Sequence, residues 1–245
     1  MMKSMIDDAS RYHSLLGQIF NMKVAETGHS LLGYNRNNAV WYYGSRSIQM
    51  LDYDWCSISS PSIIETLSNS PYCWALYETD RGCHAFRVDS YVACTDPGVP
   101  DEMASLGCDR QYAALVPIRG YCVRVGPKVI FKDRLPVFTI NGRRDKVSIP
   151  GLYYAGRVYH HLGRGMANPK IVETLNRLQS LIQWFINRWF SIENMKQIKH
   201  YGRDYYVPTG SFIQEAIHAF QNHMAILHDG TSYPETFSCI DVRST

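Results

Sequence analysis

The chain has 245 residues, 45% hydrophobic and 19% charged, with a formal net charge of +3. That balance excludes a disordered or collagen-like chain, leaves enough residues for a sizeable core, and contains no apolar run long enough for a helical membrane span. The small net charge neither demands nor excludes nucleic acid, so any such role must rest on local clusters of Lys and Arg.

The first stretch, MMKSMIDDASRYHSLL, carries acidic residues and no apolar signal-type region, which predicts a cytoplasmic protein with no membrane partner. Seven cysteines at positions 56, 73, 83, 94, 108, 122 and 239 form no C-x-x-C pair. An odd count without zinc spacing predicts mostly small, buried, apolar side chains.

In chain order, residues 8–21 are predicted helical, and residues 38–43 (NAVWYY) and 47–55 are predicted strands. Ser60 and Pro61 are placed to open a helix over residues 62–69, with Ser60 as N-cap. Residues 74–78 and 84–88 read as a hairpin around an Arg-Gly turn, with Asp80 as turn chemistry. A short helix over 101–106 ends at Gly107, and residues 120–126 form a strand with Tyr121, Val123 and Val125 on one face and Arg124 on the other. A further strand over 129–132 and a loop-rich middle follow, then helices over 169–190 and 212–227 and a short strand over 237–242. The expected division is an α/β core over residues 1–167 and a helical C-terminal region over 168–245 packed on it.

The chemistry concentrates in residues 50–55 (MLDYDW) and 77–88 (YETDRGCHAFRV). Asp is depleted in strands, and Asp52 and Asp54, two apart on one strand, project to the same face. Two converging carboxylates repel unless a divalent cation sits between them. The plainer alternative is a strand end whose carboxylates are solvated or paired with Arg46. His84 follows the Arg81-Gly82 turn and is a candidate phosphate contact. Arg124 and Lys128 are candidate phosphate-binding cations, Arg124 by its bidentate fork. The basic stretches holding Arg143, Arg144 and Lys146, and Arg157 and Arg164, with Tyr153, Tyr154 and Tyr159 interleaved, are candidates for tracking and stacking a nucleic-acid strand. The adjacent His160 and His161 would face opposite ways on a strand, which argues against a shared metal. No P-loop, G-x-G-x-x-G or G-x-S-x-G occurs.

An apolar strand with Asp-x-Asp, then a helix, then a hairpin carrying Arg/Lys-Gly-x-His resembles the catalytic core of archaeo-eukaryotic-type primases and primase-polymerases. The matching residues are Asp52-Tyr53-Asp54, the 62–69 helix and Arg81-Gly82-Cys83-His84, within roughly residues 38–130. The resemblance implies an α+β fold with a mixed or antiparallel sheet of the RRM-like type and a helical C-terminal region. It implies Asp52 and Asp54 as Mg²⁺ or Mn²⁺ ligands in two-metal phosphoryl transfer, and His84, with Arg81, as a nucleotide contact. Nucleoside triphosphates and single-stranded nucleic acid are the implied partners, alongside replication or assembly proteins.

The family carries a third aspartate on a later strand, where this chain has Arg124. Asp133, Asp145 and Asp241 are the remaining candidates. That departure keeps two alternatives open: a degenerate relative that binds nucleic acid without polymerising, and a structural subunit whose aromatic helix around Trp184, Phe185, Trp189 and Phe190 is an interface.

Overall fold

The structure is a computed structural model that describes residues 22–27, 30–35, 40–79, 82–126, 128–129, 131–132, 135–136, 147–148, 158–189, 195–200, 203–208 and 210–224. The strands in chain order are β1 (Met22–Thr27), β2 (Ser30–Asn35), β3 (Val40–Ser45), β4 (Met50–Asp54), β5 (Cys73–Glu78), β6 (Gly82–Arg87), β7 (Tyr121–Arg124), β8 (Lys128–Val129), β9 (Phe131–Lys132), β10 (Leu135–Pro136), β11 (Val147–Ser148), β12 (Val158–Gly163), β13 (Met195–His200) and β14 (Arg203–Pro208). The helices are α1 (Pro61–Asn69), α2 (Val99–Ser105), α3 (Arg110–Arg119), α4 (Pro169–Trp189) and α5 (Gly210–Met224).

Two four-stranded antiparallel sheets organise these elements, so the chain is α+β. The first has the order β1-β2-β3-β7 and the second β12-β5-β6-β4. Short pairs β9/β10, β8/β11 and β13/β14 stand apart from them. Residue choice explains the strands. β3 (VWYYGS) is aromatic and β-branched, and β5 (CWALYE) is buried from Cys73 to Tyr77, as a strand covered on both faces should be.

The first sheet is held by an aromatic cluster. Trp41 on β3 lies with its ring centroid 5.2 Å from Phe185 of α4 and 6.0 Å from Phe212 of α5, and Trp184 stacks on Phe212 at 5.9 Å. Phe185 is fully buried. The aromatic stretch of α4, an interface under the structural-subunit alternative, packs at Trp184 and Phe185 into the core against the first sheet. Burying aromatic side chains of this size contributes about 1.5–3 kcal/mol each.

The second sheet shares this core through one face. Tyr43 of β3, Met50 of β4, Phe86 of β6, Tyr121 of β7 and Leu175 and Leu178 of α4 line one small internal crevice. Its other face carries a polar clamp. The Arg87 guanidinium lies 3.4 Å over the Tyr72 ring and within 3.3 Å of Asp89 and 3.5 Å of Glu102 on α2. Glu102 also accepts from Gln49 at 3.0 Å and from the Tyr72 hydroxyl at 3.1 Å, so each buried polar group in the clamp has a partner.

Several local expectations needed correction. Ser60 precedes α1 as expected but its side chain caps nothing, its hydroxyl instead meeting that of Ser62 at 3.1 Å. Arg46 pairs with Glu26 at 3.3 Å rather than with the strand aspartates. Helix α3 was not anticipated, because Pro117 reads as a breaker, yet it lies in the last turn of a helix whose start is capped by Asp109, accepting from the Tyr112 N–H at 2.6 Å. The β13/β14 hairpin falls within the region expected to be helical. Its Tyr205-Tyr206-Val207 run favours strand. The 8–21 helix and the 237–242 strand lie outside the described residues.

Candidate functional site

The site is set by the register of three neighbouring strands. On β4 and β6, Met50 faces Phe86, Asp52 faces His84 and Asp54 faces Gly82. On β5, Tyr77 faces His84 and Ala75 faces Phe86. Residues directly opposite in a sheet share a face, and so do residues two apart along a strand. One face therefore runs from the buried pair Met50 and Phe86 to Asp52, His84 and Tyr77, and then to Asp54, which is exposed. The site is the rim of an apolar core face where it reaches solvent.

His84 and Asp52 are in contact, with Nε2 3.2 Å from Oδ1 and side chains only 16% and 27% exposed. The imidazole leans edge-on toward Phe86, at 6.5 Å between centroids, and Phe86 in turn meets Tyr77 at 5.6 Å. Nε2 is the nitrogen that faces Asp52, and Nδ1, on the buried side, is left without a hydrogen-bond partner.

The backbone around Asp52 is also pinned. β4 is an edge strand, yet its outward groups are not left bare: the Asp52 N–H donates to Cys108 Sγ at 3.3 Å, and the Asp52 carbonyl accepts from the Asp109 N–H at 2.8 Å. Tyr53, on the opposite face, donates its hydroxyl proton to the Leu106 carbonyl at 2.9 Å. The segment between α2 and α3 thus closes the edge that carries the aspartates.

Gly82 allows the close pairing of β6 with β4. A Cβ there would lie 1.8 Å from the Tyr53 carbonyl oxygen, a distance no side chain tolerates. The hairpin closes through the Thr79 N–H, which donates to the Gly82 carbonyl at 2.9 Å.

Immediately after Asp54 the chain turns at Trp55, the one non-glycine residue with positive φ (57°) among the described residues. Trp55 is 78% exposed. A bulky residue in the left-handed region costs about 1–2 kcal/mol, and such strain clusters at binding and catalytic sites. The turn brings Cys56 back over the sheet, where its thiol donates to the Tyr53 carbonyl at 3.3 Å and lies 3.4 Å from Cys83 Sγ.

Asp52 and His84 therefore meet in the second sheet, and the register places Asp54 two residues further along the same face. Arg124 does not join them: it is half-buried on β7 of the first sheet, opposite Tyr42. Lys128 lies on β8, paired with Ser148. Arg164 is exposed beyond β12, its N–H donating to the Ser70 carbonyl at 3.1 Å. Arg81, Arg143, Arg144, Lys146 and Arg157, and the carboxylate candidates Asp133, Asp145 and Asp241, lie outside the described residues. Among the described residues no group of three or more His, Cys, Asp and Glu side chains gathers as a metal cage.

Trp55, Cys56 and Arg119 were not singled out by the sequence. Arg119 ends α3 with its guanidinium 4.6 Å above the Tyr112 ring and its Nε buried without a hydrogen-bond partner. A signal for Trp55 and Cys56 did exist, since they directly follow the second aspartate where the strand alternation stops.

No protein-family model matches the chain, and no curated protein or solved structure matches it either. Among the described residues no helix is long and apolar enough to cross a membrane.

Proposed function

We propose that the chain is a nucleotidyltransferase of the primase-polymerase type, acting on nucleoside triphosphates and single-stranded nucleic acid, with Asp52, Asp54 and His84 as its reactive centre. The observation that carries this reading is the register: Asp52 opposite His84 and Asp54 opposite Gly82, on one sheet face that ends in solvent.

The donor set suits the ion. Mg²⁺ and Mn²⁺ take hard oxygen ligands, and Mg²⁺ is commonly held by one or two carboxylates with substrate phosphates and water completing the shell. Asp52 and Asp54 would hold the ion, which supplies charge neutralisation at the triphosphate and acidifies the attacking hydroxyl. His84 lies one strand from both carboxylates. It orients a phosphate oxygen through its Nε2–H once the incoming nucleotide competes for the bond to Asp52. Trp55, exposed beside Asp54, presents a ring on which a base stacks. Tyr77 and Phe86 fix the imidazole from behind.

A second reading has its own support. Asp52 and His84 already lie in contact at 3.2 Å, and the later strand β7 carries Arg124 where the family has a carboxylate. A chain that binds single strands without polymerising would have this appearance.

The deciding experiment is Mn²⁺-dependent incorporation of labelled nucleotides on single-stranded DNA, with Asp52→Ala and Asp54→Ala beside the native chain. Incorporation lost in both variants supports the enzyme. No incorporation by the native chain, with single-strand binding retained, selects the binding protein.

A further inference from the structure

We propose that Cys56 and Cys83 are a modification site: a thiol pair that a peroxide converts to a disulfide on the sheet face opposite Asp52 and His84, beside the turn that follows Asp54. The proposal goes beyond the nucleotide reading and does not depend on it.

Three features of the geometry converge. The two sulfurs are 3.4 Å apart, already in contact, so bond formation needs only a small movement of the Cys56 loop to reach about 2.05 Å. Cys83 stands opposite Tyr53 on paired strands, and the strained turn at Trp55 folds the next residue back onto that pair. The cysteines also differ in access: Cys56 is partly exposed and Cys83 is fully buried. Burial, with the Cys56 hydrogen bond adding to it, pushes the Cys83 thiol well above its ordinary value. The difference in access assigns the roles. Cys56 meets the oxidant and Cys83 resolves.

The Cys56 sulfur, giving up its proton, attacks one peroxide oxygen; the O–O bond breaks, the departing hydroxide takes up that proton and leaves as water, and Cys56 becomes a sulfenic acid. The Cys83 sulfur, losing its proton, then displaces the sulfenic hydroxyl as a second water and forms the S–S bond. Two thiols and one hydrogen peroxide become one disulfide and two waters. Among the described residues, Cys56 and Cys83 bring their sulfurs into mutual contact. The bridge ties the segment after Asp54 to the residue before His84, fixing the loop that carries Trp55.

The test is titration of the full reduced chain with hydrogen peroxide, then thiol counting in denaturant and peptide mapping. The expected count falls from seven thiols to five, reversibly with dithiothreitol. Tandem mass spectra should join Cys83 to Cys56 and not to Cys73, which shares a tryptic peptide with Cys56. Cys56→Ser, at a partly exposed position, should fold normally and keep its remaining six thiols under the same treatment. Accumulation of sulfinic acid at Cys56, a link between two chains, or the same two-thiol loss in Cys56→Ser would each overturn the proposal.

Discussion

Asp52 and His84 sit opposite each other on β4 and β6, and their side chains meet at 3.2 Å. β4 is tied on its outer side to the Cys108 thiol and the Asp109 backbone, and β6 is pressed on it at Gly82, so both strands are held in register around the contact. The two residues form a unit on two strands separated in sequence by a helix.

A unit of this kind should be non-additive. Asp52→Asn and His84→Gln are each expected to weaken Mn²⁺–nucleoside triphosphate binding by about tenfold, or about 1.4 kcal/mol. The double variant should be no worse than about the weaker single variant, since each substitution already removes the charge or the ring from the shared contact. Titration calorimetry on the four proteins measures the cycle. Full additivity would mean that the two residues act separately.

Gly82 should be irreplaceable. Gly82→Ala drives a methyl into the Tyr53 carbonyl and is expected to cost about 3 kcal/mol in denaturant unfolding. Gly98→Ala is the matched control: its Cβ would meet only Asp96 Oδ1 at 3.5 Å, so a change within about 0.5 kcal/mol is expected.

Trp55 should separate stability from binding. Trp55→Gly relieves the positive φ and is expected to leave stability unchanged or raise it by up to about 1 kcal/mol. The same variant should lose about 1–3 kcal/mol of affinity for a short oligothymidylate, read by fluorescence anisotropy of a labelled strand. Unchanged affinity would remove the stacking role.

Alkaline pH should unfold the chain. Burial pushes the Cys122 thiol up to about 11 and the Cys108 thiol to about 12, from an ordinary value of 9.0. Burial likewise pushes the Tyr77 hydroxyl to about 12 from 10.0. Each group keeps its proton longer when folded than when unfolded, so its contribution is complete below the unfolded value and is lost as pH rises through the folded one. Stability is expected to be level in this respect below pH 9 and to fall between pH 9 and 12. The slope approaches about 1.4 kcal/mol per pH unit for each group that ionises only on unfolding. Denaturant melts across that range, with Cys122→Ala expected to flatten the slope, provide the check.

The elements that carry chemistry were the most legible part of the sequence. Asp-x-Asp in an apolar run reads as a strand with both carboxylates on one face, and α1 and the β5/β6 hairpin fall within two residues of where their patterns place them. What pattern alone does not supply is which strands become neighbours. The meeting of Asp52 with His84 depends on β4 choosing the far side of β6, and that choice is made by the close approach at Gly82 and by the 106–109 segment covering the edge. The Arg87–Glu102 clamp and the Cys56–Cys83 contact were illegible for the same reason: each joins residues distant in sequence through a register that only the assembled sheet defines. Helix α3 was hidden by a proline, and the first two strands by a Gly-interrupted stretch of mixed polarity.

The pairing of β12 with β5 bears on how the chain reaches this state. β12 reaches back to flank a strand laid down far earlier, and it ends at Gly163, where a Cβ would strike the Tyr72 carbonyl at 2.1 Å and φ is +101°. During synthesis, β4, β5 and β6 emerge well before β12 and hold the Asp52–His84 contact among themselves, while the other flank of β5 stays bare. That flank, built from Trp74, Leu76 and their neighbours, is a template for pairing with another chain until residues 158–163 arrive. By its long sequence separation, this late closure is expected to be slower than formation of the acidic centre itself.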